Sequence, residues 1–439
     1  MDFSYEEAKA YLFDIPRFTS KNIPQATGDF LEVIGDLSLT IPTVHVAGTN
    51  GKGSVCAYLR AGLNACGLTC GVFTSPHLVS VRERFMLDGE MISREDFVVC
   101  FSRVMKAVEE IRRREEYKEY HPTFFEFLFF MAMVWYSQKK PDVLILETGL
   151  GGRLDATNSI ESPKVCIITE IGFDHMEYLG NTKALIAGEK AGIIKKQVPV
   201  VFCDKTCETT EVILKVACEK DAEAFALSEK NLNNLETNSS GIDFSLQSLY
   251  DNYAKISLNT KALYQAENSS LAYRAIELLK RDVFGSIDLQ AVRSGFLNMV
   301  WPGRMEEIEK GLIVDGAHNE DGIKAFLETV SHDDASERFL IYSAVGDKQI
   351  ETVVKLISES GLFKRVYIAK LESYRAASVE RIRAAFESAK NGPLIAECKD
   401  VAECLEMSKG DVGASTVRYV AGSLYLVGEV KALFLKEEE

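Results

Sequence analysis

The sequence predicts an α/β protein: a mostly parallel sheet of the phosphate-loop type, followed by a smaller α/β unit of Rossmann-like pattern. Three observations predict it. Short, continuously apolar runs alternate with longer amphipathic segments, as in parallel sheets whose two faces are covered by helices. One of these runs passes straight into a glycine-rich turn and then a helical repeat. A Pro302-Gly303 break separates two such series, and 439 residues are more than one ordinary core accommodates.

In chain order, "TVHVAG" is the first strand candidate, and Val55, Leu59 and Leu63 follow at four-residue spacing, so a helix comes next. "CGVFTS", "DVLILET", "KVCIITEIG" and "PVVFC" continue the strand series. Between them, "HPTFFEFLFFMAMVWY" is too apolar on every side for anything but a core helix. The polar tract 229–241 interrupts the pattern, and the alternating stretch after it reads as a hairpin insertion near 241–260. "NMVWPGRMEEI" is the hinge candidate. A second series opens at Gly311 with "GLIVDGA", "RFLIYSAVG", "RVYIAKL", "PLIAEC" and "VRYVAGS". The expected division is 1–300 for a central nucleotide-binding domain and 301–439 for a C-terminal α/β domain.

A net charge of -15 gives no footing for nucleic acid or an anionic membrane surface, which require clustered Lys and Arg. The opening "MDFSYEEAKAYLF" lacks the apolar stretch of a signal peptide, and no run reaches the length of a membrane span. The ten cysteines form no CxxC pair and sit mostly in apolar runs, as buried reduced thiols of a cytoplasmic protein do. Their spacing does not suit a metal cluster. A monomer is expected.

The loop in "VHVAGTNGKGSVCAYL" departs from the ordinary phosphate-loop pattern of Gly, four free positions, then Gly-Lys-Ser/Thr. Val46 stands where the first glycine belongs and Gly53 where the hydroxyl belongs; the glycine has moved to Gly48 and the hydroxyl to Ser54. The strand–turn–helix context still suits a phosphate. Glycines let successive backbone N–H groups converge on its oxygens, and the helix N-terminus adds a favourable dipole. Lys52 supplies a point charge, and Thr49 or Ser54 a hydroxyl. A plain glycine turn with a surface lysine is the competing reading. Helix propensity alone would put glycine on neither side of Lys52.

"GTNGKGS" resembles the ATP loop of the Mur ligase superfamily, in its folylpolyglutamate synthase/dihydrofolate synthase branch. "TSPHL", "ETGLGGRLDATN", "IGFDHMEYLG", "EKAGIIK", "WPGR" and "DGAHN" follow in that family's order, and "GDK" and "AGS" fit more weakly. The resemblance implies an ATP site of Thr49, Asn50, Gly51, Lys52, Gly53 and Ser54, joined by Asn268, Arg304 and Asp315. It implies Mg²⁺, as two ions, on Ser75, Glu147 and His175, with room for a monovalent cation. Glu147 also stands by its own position: it ends an apolar strand, at the sheet edge where α/β proteins bind ligands. His175 read from its residues alone is a general base or a satisfied loop histidine.

Lys190 of "AGEKAGIIKK" is an ordinary snorkelling helix lysine on its residues alone; the resemblance makes it a carbamate, an anionic oxygen donor near the metals. A carbamate requires a neutral amine, so the site must depress that lysine, and adjacent Glu189 would oppose this if it pointed inward. His77, Arg82 and Arg84 would serve the anionic part of a folate. Thr123, Phe124, Phe125 and Glu126, with Leu154, Asp155 and Ala156, match the segments that hold a pteroate. His318 matches a catalytic position. Tyr264 stands where the family shows His, and the stretch around 374 fits its arginine-containing loop only loosely.

The reaction implied is ATP-dependent amide formation: L-glutamate joined to a dihydropteroate or reduced folate through an acyl phosphate, as a folylpolyglutamate synthase, a dihydrofolate synthase or both. A Mur ligase of cell-wall synthesis shares fold and chemistry but would lack the "TSPHL" and "GLGGRLDATN" combination. A phosphotransferase or switch GTPase would carry the ordinary loop. A non-catalytic nucleotide-binding module would have lost Lys52, Glu147 or His175.

Overall fold

A computed structural model describes residues 3–15, 24–35, 40–238, 240–346, 349–373, 376–389, 392–410 and 415–437. The "GDK" motif beyond its glycine, and the loop positions 374 and 375, lie outside the described residues.

The first sheet has eight strands: β1 (Thr43–Ala47), β2 (Cys70–Phe73), β3 (Phe85–Leu87), β4 (Glu90–Met91), β5 (Val143–Glu147), β6 (Val165–Ile168), β7 (Val200–Cys203) and β8 (Ala224–Leu227). Their order is β4-β3-β2-β5-β1-β6-β7-β8, parallel from β2 through β8, with β3 and β4 added antiparallel at one edge. Successive strand residues face opposite sides. Leu144 and Leu146 enter a core with the helix Phe124–Lys139, while Val143 and Ile145 enter another with the helices Lys52–Ala65 and Tyr264–Asp282. The helix Phe124–Lys139 is buried along most of its length, which is why its sequence is apolar all round.

Three antiparallel strands follow: β9 (Leu232–Asn238), β10 (Gly241–Gln247) and β11 (Tyr253–Leu258), in the order β11-β10-β9. β10 and β11 are the expected hairpin, and alternate residues Ile242, Phe244, Leu246, Ala254, Ile256 and Leu258 pack toward the helix Tyr264–Asp282. β9 comes from the polar tract that was not read as a strand. It is an edge strand exposed along nearly its whole length, so it carries no apolar alternation to read.

The second sheet, ordered β12-β13-β17-β14-β15-β16, holds β12 (Glu306–Glu309), β13 (Leu312–Val314), β14 (Glu337–Tyr342), β15 (Arg365–Ala369), β16 (Leu394–Cys398) and β17 (Thr416–Ala421). All but β12 are parallel. Its parallel strands and crossover helices make it the smaller α/β second domain. Cys398 and Cys404 pair as a disulfide, against the expectation of reduced thiols throughout; β16 turns directly into the helix Val401–Gly410, which brings their Cα atoms to 5.5 Å. No helix among the described residues is long and apolar enough to cross a membrane.

Candidate active site

The C-terminal ends of β1, β2, β5, β6 and β7 open into one cavity of about 490 Å³, and the ends of β13 and β17 close it from the second domain. This is the edge at which parallel α/β sheets bind ligands. Every candidate residue from the sequence lines it except Arg82. Arg82 donates to the Ile92 carbonyl at 3.1 Å instead, and Arg84 faces the cavity. Both belong to the tight turn Val81–Arg84, where two residues' separation is two-thirds of a turn, so the two guanidinium groups diverge.

The glycine loop is fastened from β6. Thr49 and Asn50 N–H donate to the Glu170 carbonyl at 2.8 and 3.3 Å, and the Thr169 hydroxyl donates to the Asn50 carbonyl at 2.6 Å. The Thr49 hydroxyl is spent on Gly172, which leaves Ser54 as the loop's hydroxyl nearest to hand. Gly51 caps the helix Lys52–Ala65 at φ +88, with Asn268 Oδ1 pressed where a Cβ would be. Gly53 is explained by a distant residue: a Cβ there would meet the Trp301 indole at 2.9 Å. Trp301 thus crowds any side chain, and with it any hydroxyl, at position 53.

Two amines converge on one carbonyl. Lys52 Nζ donates to Gly48 O at 3.1 Å, and Lys190 Nζ to the same oxygen at 2.6 Å. Burial, with repulsion from Lys52 added, brings the Lys190 amine down to about 7, against the opposing pull of Asp174 and Asp155. Glu189 points away and pairs with Arg153 at 2.8 Å, so it does not hold Lys190 charged. Glu147, at the end of β5, lies 4.0 Å from Lys52 and accepts the Ser75 N–H at 2.9 Å. Burial pushes its carboxyl up, and Lys52 and that N–H pull it back.

No three His, Cys, Asp or Glu side chains among the described residues close up as a metal cage. Mg²⁺ does not need one, because it keeps several waters and takes few carboxylates beside phosphate. The donor set fits that habit: Glu147 and Asp174 are hard oxygen donors on the same cavity as the phosphate loop, with Ser75 beside Glu147. His175 adopts a left-handed backbone, φ 50, with its N–H held by Asp174 Oδ1 at 2.9 Å. His318 donates from Nδ1 to the Gly316 carbonyl at 2.8 Å, and its Nε2 stands 3.5 Å from Asp174.

The other end of the cavity is aromatic. Arg84 donates to His77 Nδ1 at 2.9 Å and lies over the Phe124 ring at 5.4 Å. Thr123 and Glu126 form a reciprocal cap on the helix Phe124–Lys139, so both are partly spent on structure. Asp155 accepts from Gly149, Leu150 and twice from Thr157, which ties the "GLGGRLDATN" loop into shape. Sequence reading missed Glu170, Asp174, Lys205, Glu267 and the buried Thr148 hydroxyl, all lining the cavity. Lys205 bridges Glu170 and Glu267 at 2.9 and 3.3 Å, a convergence of three distant segments that no local spacing records.

A phosphate loop, a strand-end carboxylate and a second α/β domain closing on both define a Mur-type ligase. Family models agree: the Mur ligase middle domain matches residues 103–276, and the Mur ligase glutamate ligase domain matches 303–424. The chain is 32% identical over 438 residues to the dihydrofolate synthase/folylpolyglutamate synthase of Bacillus subtilis, covering 98% of both, and 28% identical over 436 residues to the folylpolyglutamate synthase of Lacticaseibacillus casei, covering 98% of this chain and 99% of that one. Among solved structures it superposes on Mycobacterium tuberculosis folylpolyglutamate synthase complexed with ADP with a TM-score of 0.87, at 28% identity and 98% coverage of each chain. On E. coli FolC in complex with DHPP and ADP the TM-score is 0.82, at 25% identity, covering 100% of this chain and 99% of that one. The chain belongs to the folylpolyglutamate synthase/dihydrofolate synthase family of Mur ligases.

Proposed function

We propose that this protein is an ATP-dependent amide ligase that joins L-glutamate to the carboxylate of a dihydropteroate, a reduced folate, or both. The observation that carries the reading is the shared cavity: the glycine loop, Glu147 and Lys190 lie between an aromatic recess and the strand ends of the second domain. A carboxylate is a poor electrophile, since its leaving group would be oxide. Transfer of the γ-phosphoryl of ATP converts it to an acyl phosphate, and attack by the glutamate amine releases phosphate and forms the amide. Lys52, Asn268, Arg304 and Asp315 would hold the nucleotide, and Lys52 would stabilise charge on the transferring group. Mg²⁺, held by Glu147, Ser75 and His175 with water, would neutralise phosphate charge. Lys190, buried and half neutral near pH 7, is suited to carry CO₂ as a carbamate, an anion between Lys52 and the metal ligands. His318 Nε2 is the ring nitrogen left to take a proton from the incoming ammonium. Phe124, Phe125 and Leu154 offer flat apolar surface for a pterin, with Arg84 and His77 for its anionic tail.

The similarity to named folate ligases along the whole chain favours a folate acceptor over a cell-wall precursor. Phosphate release from ATP, Mg²⁺ and glutamate should require dihydropteroate or tetrahydrofolate, offered separately to learn which is used. With glutamate omitted, hydroxylamine should trap the activated acid as a hydroxamate. Rapid release without acceptor, and no hydroxamate, would contradict the ligase reading.

A further inference from the structure

Tyr264 begins the helix Tyr264–Asp282 of the first domain, yet its hydroxyl crosses to the second, donating to Asp315 Oδ2 at 2.6 Å. The same oxygen accepts the Met305 N–H at 3.0 Å, and Oδ1 accepts the Ala317 N–H at 2.8 Å. An ionised carboxylate offers about four lone-pair positions. Three are filled, and the open one is on Oδ1 of a residue that lines the nucleotide cavity. Met305 and Ala317 belong to the same domain as Asp315, so the Tyr264 hydroxyl is the partner that depends on how the two domains meet. One helical turn beyond Tyr264, Asn268 lies against Gly51 of the phosphate loop. Asp315, Asn268 and Gly51 line the same cavity, so the carboxylate and the glycine loop face one bound nucleotide.

We propose that Tyr264 is a positioning residue for nucleotide recognition: its hydroxyl orients the Asp315 carboxylate so that the open lone pair of Oδ1 accepts a ribose hydroxyl of ATP, and it does so only when the domains are together. Burial and the Asp315 charge push the Tyr264 hydroxyl well above its usual range, so it stays a donor. Its placement makes sugar recognition conditional on domain closure: the donor rides on the first domain and the acceptor on the second. The proposal rests on the ATP-ligase reading and adds to it a residue that acts through Asp315.

Calorimetric titration of the full chain with Mg²⁺ and ATP, 2′-deoxy-ATP or 3′-deoxy-ATP tests it. Wild type should bind at least one deoxy analogue about ten-fold or more weakly than ATP, as loss of a hydrogen bond to a charged group implies. Tyr264→Phe should bind ATP about ten-fold weaker and lose most of that discrimination. A merely structural tyrosine would lower affinity for all three nucleotides alike. Should Tyr264→Phe fail to fold, Tyr264→His, which retains an N–H donor, should keep part of the discrimination. Equal binding of the three nucleotides by wild type, or full discrimination in Tyr264→Phe, would overturn the proposal. Failure of wild type to bind ATP at all would defeat the ligase reading, and the role of Tyr264 with it.

Discussion

Lys52 and Lys190 approach the same Gly48 carbonyl, and their different surroundings assign them different chemistry. Lys52 is partly exposed beside Glu147 and, on the proposed reading, meets the transferring phosphoryl group, so Lys52→Ala should lower kcat by about a hundred-fold or more while the protein stays folded. Steady-state kinetics beside a melting curve checks this. Lys190 is buried, with an amine brought to about 7 from the ordinary 10.5. The sign of its pH effect follows. Below about pH 7 the amine is protonated in both folded and unfolded chains, and the cost of a buried cation is fully present. Between about 7 and 10.5 the unfolded chain still binds the proton and the folded chain does not, so stability rises with pH. In CO₂-free buffer, the urea midpoint of wild type relative to Lys190→Met should therefore rise from pH 7 to pH 9. A flat difference would mean an exposed, ordinary lysine. Lys190→Ala should also cripple turnover, with acetate restoring part of it by filling the vacated anion position.

The strand–loop–helix unit around Gly48 was legible because strand, turn and helix residues are contiguous. Glu147 was legible too, as a carboxylate closing an apolar strand. What stayed hidden depends on contacts between distant segments or on exposure. β9 is a polar edge, Arg82 and Arg84 differ only in the direction a tight turn gives them, and Lys205 meets Glu170 and Glu267 across three connections. Gly53 combines both cases: its departure from the common loop was visible, but its cause, the Trp301 indole, was not. Alanine is the better helix former at this second helical position by about 1 kcal/mol, yet its Cβ would have to displace Trp301. Gly53→Ala should accordingly raise KM for ATP about ten-fold or more without lowering the melting midpoint, and Trp301→Ala in the same chain should recover part of the loss. An unchanged KM with unshifted tryptophan fluorescence would show that the contact between linker and loop does not matter.

The two sheets meet with their C-terminal strand edges facing one cavity, which is how one chain can hold a nucleotide, an acid and an amine at once. Among the described residues, direct bonds that join the domains there include Asn319 Nδ2 to Asn50 Oδ1 at 2.9 Å and Tyr264 to Asp315 at 2.6 Å. Domains that separated to exchange ligands and closed again would exclude water from a reactive acyl phosphate. The fold class was readable from periodicity. The bonds between the two domains were not, since each joins residues far apart in the chain. An isotope follows that acyl phosphate most directly. With ¹⁸O in both carboxylate oxygens of the acceptor's reacting group, the enzyme should release phosphate carrying one ¹⁸O for each amide formed, because the oxygen lost by the acid leaves on phosphorus. Phosphate free of ¹⁸O, released while amide accumulates, would show that the carboxylate is activated by another route and contradict the mechanism.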